Sequence, residues 1–421
     1  MIQTIDLFPG ITLRCCRDSR FKQGCLSLQL IRPMNREESA RNALIPAVLL
    51  RGTNRHPDLR SITARLDALY GAAVSPLVRR VGDYQTVGLF CGFMDDRFAL
   101  PGDQVLAPMA EFLKELLLDS PTENGGFLSS FVESEKKNLI ATIESERNDK
   151  RAYAMGQLLK TMCREDAFGL PRLGETAQVA AIDPVELYRH YRQILRTSPV
   201  QIFYVGSADG ETVAALLRPL FEGLDRQPHT LAPQTAFRNC PGEDAVETMD
   251  VAQGKLCMGF VTSITNRMPE FPAMQMLNTL LGAGMTSKLF VNVREKLSLC
   301  YSVGSGYYGT KGIVTVAAGI DFDKELQTRE EILRQVEACR SGDITTRELE
   351  AAREALLSSL RATHDSPGAI EGYYATAALS GLGLTPEAYM AALEQVTMEQ
   401  VVAAANTLTL HSTYFLKGET A

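Results

Sequence analysis

The same order of elements runs twice along this 421-residue chain, and that repetition limits the available folds more than any other feature. In the first half, Thr4-Ile5-Asp6-Leu7, Ile11-Thr12-Leu13 and Leu26-Ser27-Leu28-Gln29-Leu30 alternate with a period of two and read as strands. Residues 41–50 are apolar almost all round, the mark of a buried helix, and Ile62, Leu66 and Leu69 line one face of a second helix starting near Ser61. Strands over 73–81 and 84–93 break at Gly82-Asp83; long helices over 103–118 and 123–147, a buried strand over 200–206 and a helix over 209–221 follow. The second half repeats this with a strand at 255–261, helices at 271–282 and 286–296, and a strand pair over 299–319 turning near 309–312. Leu66 precedes Asp95 by 29 residues, and Val293 precedes Asp321 by 28. The spacing predicts a duplicated α+β unit: an N-terminal domain over 1–223, a linker over 224–248 marked by Pro228, Pro233 and Pro241, and a C-terminal domain over 249–421.

Charge and residue counts narrow the function. Lys+Arg 43 against Asp+Glu 50 leaves a net charge of -7, which disfavours a bulk nucleic-acid or acidic-membrane surface. The pairs Arg79-Arg80 and Lys136-Lys137 are too short to make basic patches. Only five histidines occur, His56, His190, His229, His364 and His411, none close enough to another for a helix-borne two-histidine metal site. The nine cysteines are scattered without a C-x-x-C pair and read as reduced, mostly buried thiols, with Cys15 and Cys16 on opposite faces of a strand. No apolar run reaches the roughly 18 residues that span a bilayer, and the start MIQTIDLFPG has no basic leader region, so a cytoplasmic location is expected. Gly282-x-Gly284 lacks the rest of a phosphate loop and reads as helix punctuation, and Met258, Met268, Met274 and Met276 read as core filling with a peptide groove as the alternative.

Residues 43–53, Ala-Leu-Ile-Pro-Ala-Val-Leu-Leu-Arg-Gly-Thr, followed by Leu66-Asp67-Ala68-Leu69-Tyr70-Gly71, resemble the N-terminal signature of the insulinase and mitochondrial-processing-peptidase family, peptidase family M16. The stretch from Gly282 to Phe290, Val293-Arg294-Glu295-Lys296 and Leu299-Cys300-Tyr301-Ser302-Val303 resemble the same family's second half. The similarity covers essentially the whole chain and is strongest to the zinc-motif-less, YmfF-like subgroup. It implies two homologous domains of LuxS/metallohydrolase type, each a mainly antiparallel sheet flanked by helices, arranged as a half-clamshell.

The departures from the family pattern carry as much information as the match. In active members the first helix bears His-x-x-Glu-His five residues before the Gly-Thr pair. The two histidine positions fall on Ala43 and Ala47, the general-base glutamate on Pro46, and the third ligand, seven residues after Glu135, on Thr142. A methyl group has no lone pair for a metal and proline has no proton acceptor, so no metal and no cofactor of its own is expected for this chain. Glu144 and Glu146 read as solvated charges, and His56 as a surface loop residue. What the resemblance leaves intact is the second-half pair Arg294 and Tyr301, which in the family reaches a substrate carbonyl and stabilises the developing oxyanion. The alternative is that Arg294 pairs with a nearby carboxylate and Tyr301 is a half-buried strand residue.

Three readings follow. In the first, the chain is a zinc-less subunit that supplies Arg294 and Tyr301 to a zinc-bearing M16 paralogue in a heterodimer acting on an extended peptide. In the second, the chain is a peptide-binding or scaffold protein with no catalytic share, holding a peptide or an assembly partner; a homodimer is the alternative to the heterodimer. The third is a self-sufficient zinc peptidase with unorthodox ligands.

Overall fold

The computed structural model describes residues 2–419. The first half runs β1 Ile2–Phe8, β2 Ile11–Arg17, β3 Gln23–Pro33, α1 Ser39–Leu49, α2 Leu59–Asp67, β4 Ala73–Val81, β5 Tyr84–Met94, α3 Leu106–Leu118, β6 Thr122–Glu123, β7 Gly126–Phe127, α4 Ser129–Asn148, α5 Lys150–Met162, α6 Thr176–Ala180, α7 Pro184–Thr197, β8 Val200–Gly206 and α8 Gly210–Phe221. The second runs β9 Asp244–Thr248, β10 Gly254–Val261, α9 Phe271–Gly282, a π-helix over Leu289–Lys296, β11 Cys300–Tyr308, β12 Ile313–Ile320, α10 Glu325–Ser341, α11 Thr346–Ala362, α12 Pro367–Ser380, α13 Pro386–Glu394, α14 Met398–Asn406 and β13 Thr409–Lys417. Among the described residues, no helix is long and apolar enough to cross a membrane.

The duplication is visible strand by strand. One sheet has the order β1-β2-β8-β3-β5-β4, the other β9-β13-β10-β12-β11 when read from its β9 edge. Without β1 the two orders superimpose, and so do the pairings: β2 with β8 and β13 with β9 are parallel, every other pair antiparallel. Such a sheet, with helices between its strands, is α+β.

The chain separates into two compact units that are not contiguous stretches. One comprises residues 1–144, 170–233 and 364–376; the other comprises 145–169, 234–363 and 377–421. In the first unit, α12 brings Ile370 against Cys25 and Val205. It also places Glu371, buried, against Ser27 Oγ (2.7 Å), Gln29 Nε2 (2.9 Å) and the Arg79 guanidinium (2.8 and 3.0 Å), so the carboxylate's lone pairs are satisfied. In the second unit, α5 packs Ala154, Leu158 and Met162 against Cys257, Ile313 and Leu416. Gly259 gives the Met162 side chain its room, because a Cβ there would lie 2.1 Å from Met162 Sδ and the methionine would have to turn aside. The helix following α4 thus belongs to the second unit and the helix following α11 to the first.

Three segments differ from the sequence expectation. The helix expected over 123–147 begins at Ser129, because Asn124 and Gly125, at φ 51 and 81, turn a hairpin pairing Thr122 with Phe127. Asn-Gly is a strong short hairpin signal, and here it prevails over the helical periodicity of the residues that follow. The Pro-marked segment ends in a strand, β9, whose alternating exposure follows from its place at a sheet edge beside β13. The helix expected over 286–296 is a π-helix over 289–296.

Candidate functional site

Helix α1 carries the positions where a metal motif would stand. Ala43 and Pro46 are buried and Ala47 partly so, and none offers a donor atom. Thr142 is exposed on α4 and its hydroxyl donates to its own helix, to Asn138 O at 2.9 Å. The residues present do not fit a zinc ion, and among the described residues no group of three His, Cys, Asp or Glu side chains could hold one. Glu144 and Glu146 are solvent-facing. The carboxylate that precedes Thr142 on α4, Glu135, pairs with Arg51 at 3.3 Å and accepts from Asn138 at 3.1 Å.

His56 is no surface ornament. Its Nδ1 lies 2.6 Å from Glu115 Oε1, the same oxygen accepts from the Thr53 hydroxyl, and the His56 ring meets Phe112 edge-on. The cluster pins the loop after α1 to α3, which is a structural task.

Pro46 sits inside α1 and cannot donate to the carbonyl one turn back. Pro46→Ala is therefore expected to raise stability by about 1–2 kcal/mol, the helix gain of about 3 kcal/mol being partly offset by lost burial. A urea titration in which the variant unfolds at or below the wild-type midpoint would refute this.

Arg294 and Tyr301 come together in the second unit, each on an irregularity. Helix α9 runs onto β11 at Gly282, where a Cβ would lie 2.7 Å from Ser305 N; this close approach, not phosphate binding, is what the glycine provides. The chain then winds the π-helix, closed by Leu297 N donating to Asn292 O at 3.2 Å. The wider turn re-aims side chains and is common at functional sites. Ser298 follows at φ 49, reversing the chain into β11, whose register against β12 slips between Cys300 and Ser302. Tyr301 is the bulged residue, and a bulge directs a side chain away from the strand's normal alternation.

A cavity of about 350 Å³ results, lined by Arg294, Ser298, Tyr301, Asp321 and Lys324 among others. Tyr301 is 63% exposed and its hydroxyl donates to Asp321 Oδ1 at 3.1 Å. Lys324 reaches Asp321 Oδ2 at 3.0 Å and donates to Ser298 O at 3.3 Å. The hydrogen bond from Lys324, then that from Tyr301, holds the Asp321 carboxyl below its usual range. Arg294 stacks over Phe290, 4.7 Å from the ring centroid, and its Nε lies 3.6 Å from Glu295. Cys300 is buried in the same wall, and burial, opposed in part by Arg294 and Lys324, pushes its thiol up to about 11, so it stays protonated. The site thus offers arginine donors and a phenol braced by a carboxylate and an ammonium.

Asp321 and Lys324 were not among the expected site residues. The available signal was the repeat itself, in which Asp321 copies Asp95. Asp95 is 4% exposed and holds Arg97 and Ser207, a purely internal use. The methionines divide: Met258, Met274 and Met276 are buried, while Met268 is exposed. Eight of the nine cysteines are buried and Cys16 is partly exposed, its neighbour Cys15 facing inward.

Residues 181–356 match the family model described as "Peptidase M16 inactive domain". Over 409 residues, 97% of this chain and 96% of the other, the sequence is 29% identical to a Bacillus subtilis protein described as "Probable inactive metalloprotease YmfF". A solved structure of a conserved protein from Enterococcus faecalis superposes with a TM-score of 0.91 at 27% identity, covering 100% of this chain and 99% of that one. A peptidase M16 inactive domain from Pseudomonas fluorescens gives 0.82 at 18% identity, covering 100% and 98%, a likeness of fold.

Proposed function

We propose that this chain is a non-catalytic homologue within the peptidase M16 family, acting as a peptide-holding subunit whose zinc-bearing paralogue supplies the metal. The observation that carries this reading is the contrast between its two halves. Ala43, Pro46, Ala47 and Thr142 have no metal-donor set, whereas Arg294 and Tyr301, from separate elements, line one cavity. Backbone binding of an extended peptide suits such a pair, because the arginine can hold a carbonyl whatever the side chains are. The working assembly is a heterodimer in the cytoplasm, with no nucleic-acid or membrane partner and no cofactor bound by this chain.

The test is peptidase activity of an M16 paralogue with an intact His-x-x-Glu-His, measured with and without this chain. Activity is expected to rise when the chain is added, and Arg294→Ala to remove at least tenfold of that rise, the size of one lost charge-assisted hydrogen bond. A mixture no more active than the paralogue alone would refute catalytic sharing. The second reading, a binding protein without catalytic share, has an observation in its favour: the Tyr301 hydroxyl is already bonded to Asp321.

A further inference from the structure

We propose that Tyr301 meets a peptide as a hydrogen-bond acceptor, so that Arg294 and Tyr301 read one backbone C=O and one backbone N–H rather than converging as two donors on a single oxyanion. The inference rests on the reading of this cavity as a peptide site. A phenol has one proton to donate. Here that proton goes to Asp321 Oδ1 at 3.1 Å, and Lys324 occupies the other carboxylate oxygen at 3.0 Å. Asp321 is held ionised by both contacts, so at neutral pH it is an acceptor only and keeps the phenol's proton turned toward it.

What Tyr301 then offers is the lone-pair side of its oxygen, and its exposure leaves that side accessible. Arg294 offers donors only; its contacts are the Glu295 carboxylate at 3.6 Å and the Phe290 ring, neither of which takes a hydrogen bond from its terminal nitrogens. One donor and one acceptor are the complement of a peptide residue. In an extended chain the N–H and C=O of a single residue point to the same side, as in the paired residues of an antiparallel ladder. The brace is specific to this unit, since the repeat-equivalent Asp95 is buried and engaged by Arg97 and Ser207.

The experiment uses the full-length chain. A random octapeptide pool is selected on the immobilised protein, and the strongest binder is resynthesised as a series in which each backbone N–H is replaced in turn by an ester oxygen. One ester position is expected to weaken binding about fivefold to tenfold, the loss of one neutral hydrogen bond. The same ester is expected to cost nothing further in Tyr301→Phe, and to lose most of its penalty in Asp321→Asn, whose amide can donate to the phenol oxygen. An Arg294-dependent binder whose ester penalties are all unchanged in Tyr301→Phe would overturn the acceptor role alone. Failure to select any octapeptide, or a binder indifferent to Arg294→Ala, would overturn the peptide-site reading and this inference with it.

Discussion

Lys311→Met is expected to destabilise the protein by about 3–5 kcal/mol, because it strands a buried carboxylate. Lys311 sits in the turn between β11 and β12 with no exposure at all, and its ammonium lies 2.8 Å from Asp166 Oδ1 and 3.1 Å from Thr235 Oγ1. Asp166 also accepts from the backbone of Phe168 at 2.9 Å and of Arg238 at 3.2 Å, so it is the hub that ties three segments of the second unit together. Those amide donors stay when the lysine goes, but no charge remains to oppose the carboxylate. A protein of ordinary stability, about 5–15 kcal/mol, would lose a large part of it. Guanidinium unfolding would measure the change, and the paired variant Lys311→Met/Asp166→Asn should recover part of it, since the neutral amide leaves no unpaired charge and its oxygen can still accept from a backbone amide. A single variant within 1 kcal/mol of wild type would contradict this account.

Acid should weaken the fold through His190. This residue lies on α7 with Nε2 2.7 Å from Asn42 Oδ1. Burial, then the charge of Arg41, with Glu38 opposing and Arg32 adding, lowers its pKa from 6.5 to about 4. The folded state thus keeps the ring neutral where the unfolded chain protonates it. The contribution is fully present above pH 6.5 and is lost as pH falls from there toward 4, amounting to roughly 3 kcal/mol across the window. Urea midpoints measured from pH 7.5 to 4 should fall more steeply for wild type than for His190→Gln. Parallel curves would sink the assignment to His190.

The duplicated α+β plan was legible because it is written in periodicity: strands at 73–81 and 84–93 were expected and β4 and β5 span Ala73–Val81 and Tyr84–Met94. The same helical reasoning failed at 123–128 and 286–296, where a hairpin turn and a π-helix depart from the 3.6-residue repeat. Those departures matter for the site. Arg294 stands on the π-helix and Tyr301 on a bulge, so no period could have placed either side chain in the cavity. The residue types suggested a pair; the brace of Asp321 and Lys324 needed the turn at Ser298, a local φ that sequence pattern does not encode. The exchange of α5 and α12 was equally invisible, because both helices have apolar residues suited to covering a sheet and nothing in their sequence names which sheet.

That exchange sets a schedule for biosynthesis. The first unit includes residues 364–376, so its sheet acquires Ile370 and Glu371 only after residues 234–363 of the second unit have been synthesised. Domains of most multidomain chains fold in order of synthesis. Here the two units interleave in the order of synthesis, because residues 145–169 and 234–363 of the second unit are made before the first unit has all its residues. A nascent chain arrested before residue 364 would lack the residues that cover Cys25 and Val205 and that satisfy Ser27 and Gln29.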